Sequence, residues 1–177
     1  MNKKLAAALS GGAVLMMAAT LTACGDSPEE KAKKEQAAWS KSYCPKEKAA
    51  EEKRVKADGL LKATAADGKP EDIKKADSEA FQMYAEAARE RIKALRDAGP
   101  PPVANGERDH KEMIKNLEGQ ATAFENLKKQ ADALDPKGKE FPKGLDKLGE
   151  DLGKVGELPV PKSFCPSSGG AGAPKPA

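Results

Sequence analysis

Three cysteines, one histidine and many carboxylates are the residues of this chain best suited to chemistry. A thiol can be acylated, oxidised or bound to a metal. Cys24 stands alone at the end of an apolar run. Cys44 and Cys165 stand in near-copies of one phrase, Lys41-Ser42-Tyr43-Cys44-Pro45 and Lys162-Ser163-Phe164-Cys165-Pro166. A redox-active pair would normally be close, as in Cys-x-x-Cys, whereas these lie 121 positions apart, so they read as a structural pair. His110 sits among Arg108, Asp109, Lys111 and Glu112 with no further His or Cys at metal-ligand spacing, and is expected to be a solvated surface histidine. It could act as a catalytic base only if the fold brought a serine to it, and no Gly-x-Ser-x-Gly elbow is present. The carboxylate pairs Glu29-Glu30, Glu51-Glu52 and Glu150-Asp151 lie in charged stretches among lysines, whereas acid catalysis needs a desolvated carboxyl. There is no P-loop or dinucleotide fingerprint. The expectation is a protein without catalytic residues, metal site or resident cofactor.

What precedes Cys24 gives that residue its meaning. Lys3 and Lys4 make a short positive start, and Leu5 to Leu21 carries no charge. That run is too short and too weakly apolar for a comfortable membrane span, which needs about 20 strongly apolar residues. It fits the apolar region of an export signal. Leu21-Thr22-Ala23-Cys24-Gly25 resembles a bacterial lipobox: an aliphatic residue, two small residues, then cysteine. The resemblance covers residues 1–25. It implies a diacylglycerol thioether on Cys24, cleavage between Ala23 and Cys24, and a mature chain anchored on the extracytoplasmic face of the cell membrane. The competing reading is an ordinary secretory signal with a chance cysteine, which Leu21-Thr22-Ala23 serves less well. Cleavage at Cys24 removes 23 of 177 residues and leaves 154, and the loss of Lys3 and Lys4 lowers the formal charge from +3 to +1. No field remains that would draw nucleic acid or anionic lipid.

An exported chain meets an oxidising space, where a remaining pair of cysteines usually bonds. A Cys44–Cys165 disulfide is therefore expected. By the chain-entropy relation it would contribute about 4–5 kcal/mol. Aromatics make up only 4 % of the chain, so the core must be narrow and built from Leu, Ile and Ala, and a staple would help it. An aromatic beside each sulfur can cover the bond, and Pro45 and Pro166 are expected to stop helices.

The elements that must position these residues are helical. Ser27, Pro28 and Glu30 form a capping box that opens a charged helix to about Tyr43, read as a stalk, with Trp39 and Tyr43 docking its end. Lys46 to Asp67 is helical again. Glu71 to Ala98 carries one apolar stripe of Ile73, Ala80 or Phe81, Tyr84, Ala88, Ile92 and Leu95. Gly99 caps it, and Pro100 to Pro102 reads as a stiff extended linker. Glu107 to Leu134 presents Met113, Ile114, Leu117, Ala121, Phe124, Leu127, Ala131 and Leu134. Lys143 to Val155 presents Leu145, Leu148, Leu152 and Val155 beside Gly149, Gly153 and Gly156, which read as either a close helix contact or local mobility.

The expected architecture is all-α: an antiparallel bundle of three to four helices. The expected divisions are a signal peptide at 1–23, a lipidated N-terminus and helical stalk at 24–43, a bundle at 44–165 and a disordered tail at 166–177. The layout of striped helix, Pro-Pro break (Leu95 to Pro102), second striped helix and two outlying cysteines resembles small helical secreted proteins and lipoproteins of actinobacteria over residues 44–165. The expected function is a non-enzymatic binding or scaffold module of the cell envelope. Beyond the membrane its partners would be another envelope protein or a wall polymer, and not nucleic acid. The alternative is a carrier of a small apolar ligand, lipid or haem, between the bundle helices. Phe81, Tyr84 and Phe124 would line its pocket, and Met83, Tyr84, His110 and Met113 are the available haem ligands.

Overall fold

The computed structural model describes residues 27–64, 68–156 and 164–165. The expected signal peptide at 1–23, Cys24 and the expected disordered tail at 166–177 lie outside the described residues. The described residues form four helices, α1 (Pro28–Thr64), α2 (Pro70–Ala98), α3 (Gly106–Ala133) and α4 (Phe141–Gly156), and no strand.

Helix α1 opens with the reciprocal capping box. The Glu30 amide donates to Ser27 Oγ at 3.2 Å, and the Ser27 amide donates to Glu30 Oε2 at 2.9 Å. The helix then runs 37 residues with Pro45 inside it, so the expected stop at Pro45 does not occur. A proline in a helix interior costs about 3 kcal/mol, because its ring clashes with the preceding turn and it has no N–H to donate. Pro45 and Lys41 both face solvent, where water can take the carbonyl that the proline leaves unbonded. Packing of Tyr43, Glu47 and Ala50 on the inner side carries the helix through. Residues 27–38 are exposed throughout. Trp39 and Tyr43 are the first to enter the core.

Helix α2 packs against both α1 and α3. Its pairings with α1 descend as α1 ascends: Trp39 meets Gly99, Glu47 meets Arg91, Lys53 meets Glu86 and Glu90, and Asp58 meets Tyr84. With α3, Leu95 meets His110, Arg89 meets Glu125, and Ser78 meets Asp132. Both pairs are therefore antiparallel. The expected α2 stripe is buried apart from Ile73, which is half-buried, and Ala76, Ala85, Ala87 and Ala94 are buried beside it. A helix between two neighbours buries more than one stripe.

The α2–α3 connection is a compact turn, not an extended linker. Gly99 caps α2 at φ 70°, and its amide donates to the Leu95 carbonyl at 2.9 Å. The Val103 amide then turns back onto the Pro101 carbonyl at 2.8 Å, and Asn105 takes a left-handed φ of 63°. Gly106 makes the turn possible, since a Cβ there would lie 2.0 Å from the Pro101 carbonyl oxygen. Helix α4 begins at Phe141, two residues before its expected start, because Phe141 is itself buried.

Close approach does not explain Gly149 or Gly153 of α4. A Cβ on Gly149 or Gly153 would meet nothing within 4 Å, whereas one on Gly144 would lie 2.3 Å from Leu134 Cδ2. Gly153→Ala is therefore expected to stabilise the fold by about 0.5–1 kcal/mol through helix propensity. Gly106→Ala is expected to destabilise it by about 1–3 kcal/mol by overpacking against fixed backbone. Urea denaturation of the two variants measures both signs.

Candidate functional site

The two ends of the bundle differ in their chemistry. At the end where α1 enters, Cys44 and Cys165 are joined as a disulfide with their Cα atoms 5.5 Å apart. Trp39 packs on Tyr43 at 4.7 Å and meets Phe164 edge-on at 5.6 Å. The residues before each sulfur thus join one aromatic cluster beside the crosslink. The Trp39 indole donates to the Gly99 carbonyl at 2.9 Å, so the closing turn of α2 is held by α1. The Tyr43 hydroxyl reaches Met113 Sδ at 4.0 Å. Burial pushes Tyr43 up to about 12, with Glu47 adding to the shift and Arg91 opposing it.

His110 belongs to this end and is not a solvated surface residue. It is half-buried, and its Nε2 lies 2.9 Å from the Leu95 carbonyl. The imidazole therefore ties α3 to a carbonyl in the last turn of α2, the same oxygen that accepts from the Gly99 amide.

The other end carries a groove. Leu61 of α1, Ile73, Asp77 and Phe81 of α2, and Leu145, Leu148, Gly149 and Leu152 of α4 line a space of about 260 Å³. Asp77 is the one charged residue of this lining. Its helical spacing is legible afterwards: Ile73, Asp77 and Phe81 recur at four residues, which puts a carboxylate on the apolar face. The apolar stripe dominates that pattern, and a single charge within it does not stand out. Asp77 is half-buried, and no described residue pairs with it. Lys74, one turn earlier, instead donates to the Leu134 carbonyl at 2.7 Å.

The other candidates are drawn into packing and surface pairing. Tyr84 stacks on Phe124 at 4.7 Å, and its hydroxyl donates to Asp58. Burial and that carboxylate hold the Tyr84 phenol well above its usual range. Phe81 is buried in the same cluster and also faces the groove. Met113 is buried in the opposite cluster from Tyr84, with Met83 packed beside the latter. The proposed haem ligands are therefore divided between two clusters. Glu30 serves the α1 cap, Glu51 pairs with Arg54, and Asp151 pairs with Lys154. Among the described residues no three His, Cys, Asp or Glu side chains gather as a metal site.

The most buried of the described ion pairs between helices has no counterpart in the sequence pattern. Glu47 and Arg91 meet at 2.8 Å between α1 and α2, with side chains only 10 % and 16 % exposed. No local pattern links positions 47 and 91. Only the antiparallel register brings them together.

No protein-family model matches the chain, and neither does any curated protein or solved structure.

Two consequences are measurable. Cys165→Ser is expected to lower stability by about 2–5 kcal/mol, the usual cost of losing a native disulfide, with intact-mass analysis of the untreated parent showing no free thiol at Cys44 or Cys165. Asp77 gives a pH signature. Desolvation raises its pKa, so the folded chain takes up its proton at higher pH than the unfolded chain. Stability then falls as pH rises from the ordinary carboxylate range through the folded value, and the cost persists at neutral pH. Asp77→Asn is expected to stabilise the protein at pH 7. The gain should shrink below the ordinary carboxylate range, where both states are protonated, as denaturation curves across pH would record.

Proposed function

We propose that this protein is a lipid-anchored module of the cell envelope that acts by binding, not by catalysis. Cys24 carries the lipid, and the domain stands on the extracytoplasmic side of the membrane. The observation that carries the reading is the form of α1. Its cap at Ser27 lies three residues after Cys24, its first eleven residues are exposed and six of them are charged, and it continues unbroken into the core. At 1.5 Å per residue the exposed part spans about 16 Å. It is a rigid stand-off built into the same helix that the bundle is packed on. No helix among the described residues is long and apolar enough to cross a membrane, so the lipid is the attachment this reading relies on. Two or more acyl chains hold a protein on a bilayer stably.

The leading role is to present the bundle to another envelope protein or to a wall polymer. The small-ligand carrier is the second reading, and the groove between α1, α2 and α4 favours it. Leu61, Ile73 and Asp77 belong to the end of the bundle remote from the α1 N-terminus, so the groove would open away from the anchored surface.

Palmitate labelling tests the anchor. The parent chain is expected to incorporate label and to partition with detergent. Cys24→Ser should lose both, and label retained in that variant would overturn the assignment.

A further inference from the structure

We propose that the groove lined by Leu61, Phe81, Leu148 and Leu152 binds a small amphiphilic amine, with the aliphatic body on those side chains and the ammonium on Asp77. The inference rests on the ligand-carrying reading above and adds the chemical class of the ligand.

Three observations converge on it. First, the lining is aliphatic or aromatic except for Asp77 and Gly149, so burial of apolar surface drives binding. Second, several carboxylates at the helix seams meet a cation on the neighbouring helix: Glu47 with Arg91, Asp97 with Lys46, and Glu86 with Lys53. Asp77 is treated differently. It is half-buried among Ile73, Phe81 and Leu148, while the adjacent Lys74 is committed to the Leu134 carbonyl. A partly desolvated carboxylate without a cation is costly, and a ligand ammonium would offset that cost with a charge-assisted hydrogen bond. An anionic ligand would add like charge to the groove, and a neutral one would leave the carboxylate uncompensated. Third, Gly149 lines the groove and a Cβ there would meet no atom within 4 Å. Helix packing gives no reason for the missing side chain. Absence of a side chain at this position keeps the α4 side of the groove open.

The volume limits the size of the ligand. About 260 Å³ falls just below the ~300–1,000 Å³ of pockets for drug-sized ligands. A single medium-length alkyl chain suits this space, and a haem or a two-chain lipid does not.

Calorimetric titration of the disulfide-bonded protein with octylamine, octanol and octanoate, each below its aggregation concentration, tests the proposal. Octylamine is expected to bind most tightly and octanoate most weakly. Asp77→Asn, which should fold at least as stably as the parent, is expected to weaken octylamine about tenfold while leaving octanol unchanged. Gly149→Leu is expected to abolish binding of all three, with its helical circular dichroism retained. Equal binding of octylamine and octanol, or octylamine binding unaffected by Asp77→Asn, would overturn the amine assignment and leave an apolar ligand site standing. Absence of binding by all three probes would overturn both.

Discussion

Helix α2 is buried on two sides at once, and the remaining helices are arranged around that burial. Six of its ten buried residues, Ala76, Ala80, Ala85, Ala87, Ala88 and Ala94, are alanine. Small side chains let α1 and α3 approach closely, but each removes little apolar area from water, and stabilisation scales with that area. The larger residues Phe81, Tyr84, Ile92 and Leu95 supply most of what α2 can bury. The core therefore falls into two clusters, one around Trp39, Leu95 and Leu117 and the other around Phe81, Leu127 and Leu148. A core of this kind gains from bonds that do not depend on area.

Two such bonds flank the α1–α2 seam. The disulfide acts mainly by restricting the unfolded chain, and it ties a residue beyond α4 back to α1. The Glu47–Arg91 pair acts differently. Buried ion pairs lose much of their Coulomb attraction to desolvation, and Arg91 Nε is buried without a hydrogen-bond partner. In the observed alignment of α1 on α2 each of the two charges meets its partner. The same alignment seats Trp39 under Gly99 and places Tyr43 against Met113. The bundle is thus closed at the end where α1 enters. At the far end α4 packs chiefly on α3, and Leu61, Ile73 and Leu148 meet around a groove that no described side chain fills.

Much of the fold was legible because helical periodicity is local. The stripes of α2 and α3 name most of their buried residues, the capping box at Ser27 forms as its spacing implies, and Gly99 ends α2. Readings that failed did so where a distant partner outweighed a local rule. Pro45 should end a helix, but packing on the opposite face keeps α1 continuous. His110 looked solvated because its own neighbours are charged, yet its partner is a carbonyl fifteen residues earlier. Phe141 lay outside the expected α4 because its burial depends on the bundle. The prolines after Gly99 suggested extension, but the left-handed Asn105 and the bare Cα of Gly106 fold them into a turn.

Composition and spacing alone determined the helical class, the main apolar stripes and the pair of cysteines suited to bond, because these depend on residue type and on separations of three or four. Tertiary structure decided that α1 is one helix, that Glu47 faces Arg91, and that Asp77 lies in an apolar groove, because each depends on which helices are neighbours and in what register. The cysteines belong to both levels. Their repeated phrase marks them as a pair in the sequence, while the tertiary structure sets Cys165, beyond α4 in the chain, beside Cys44 midway along α1.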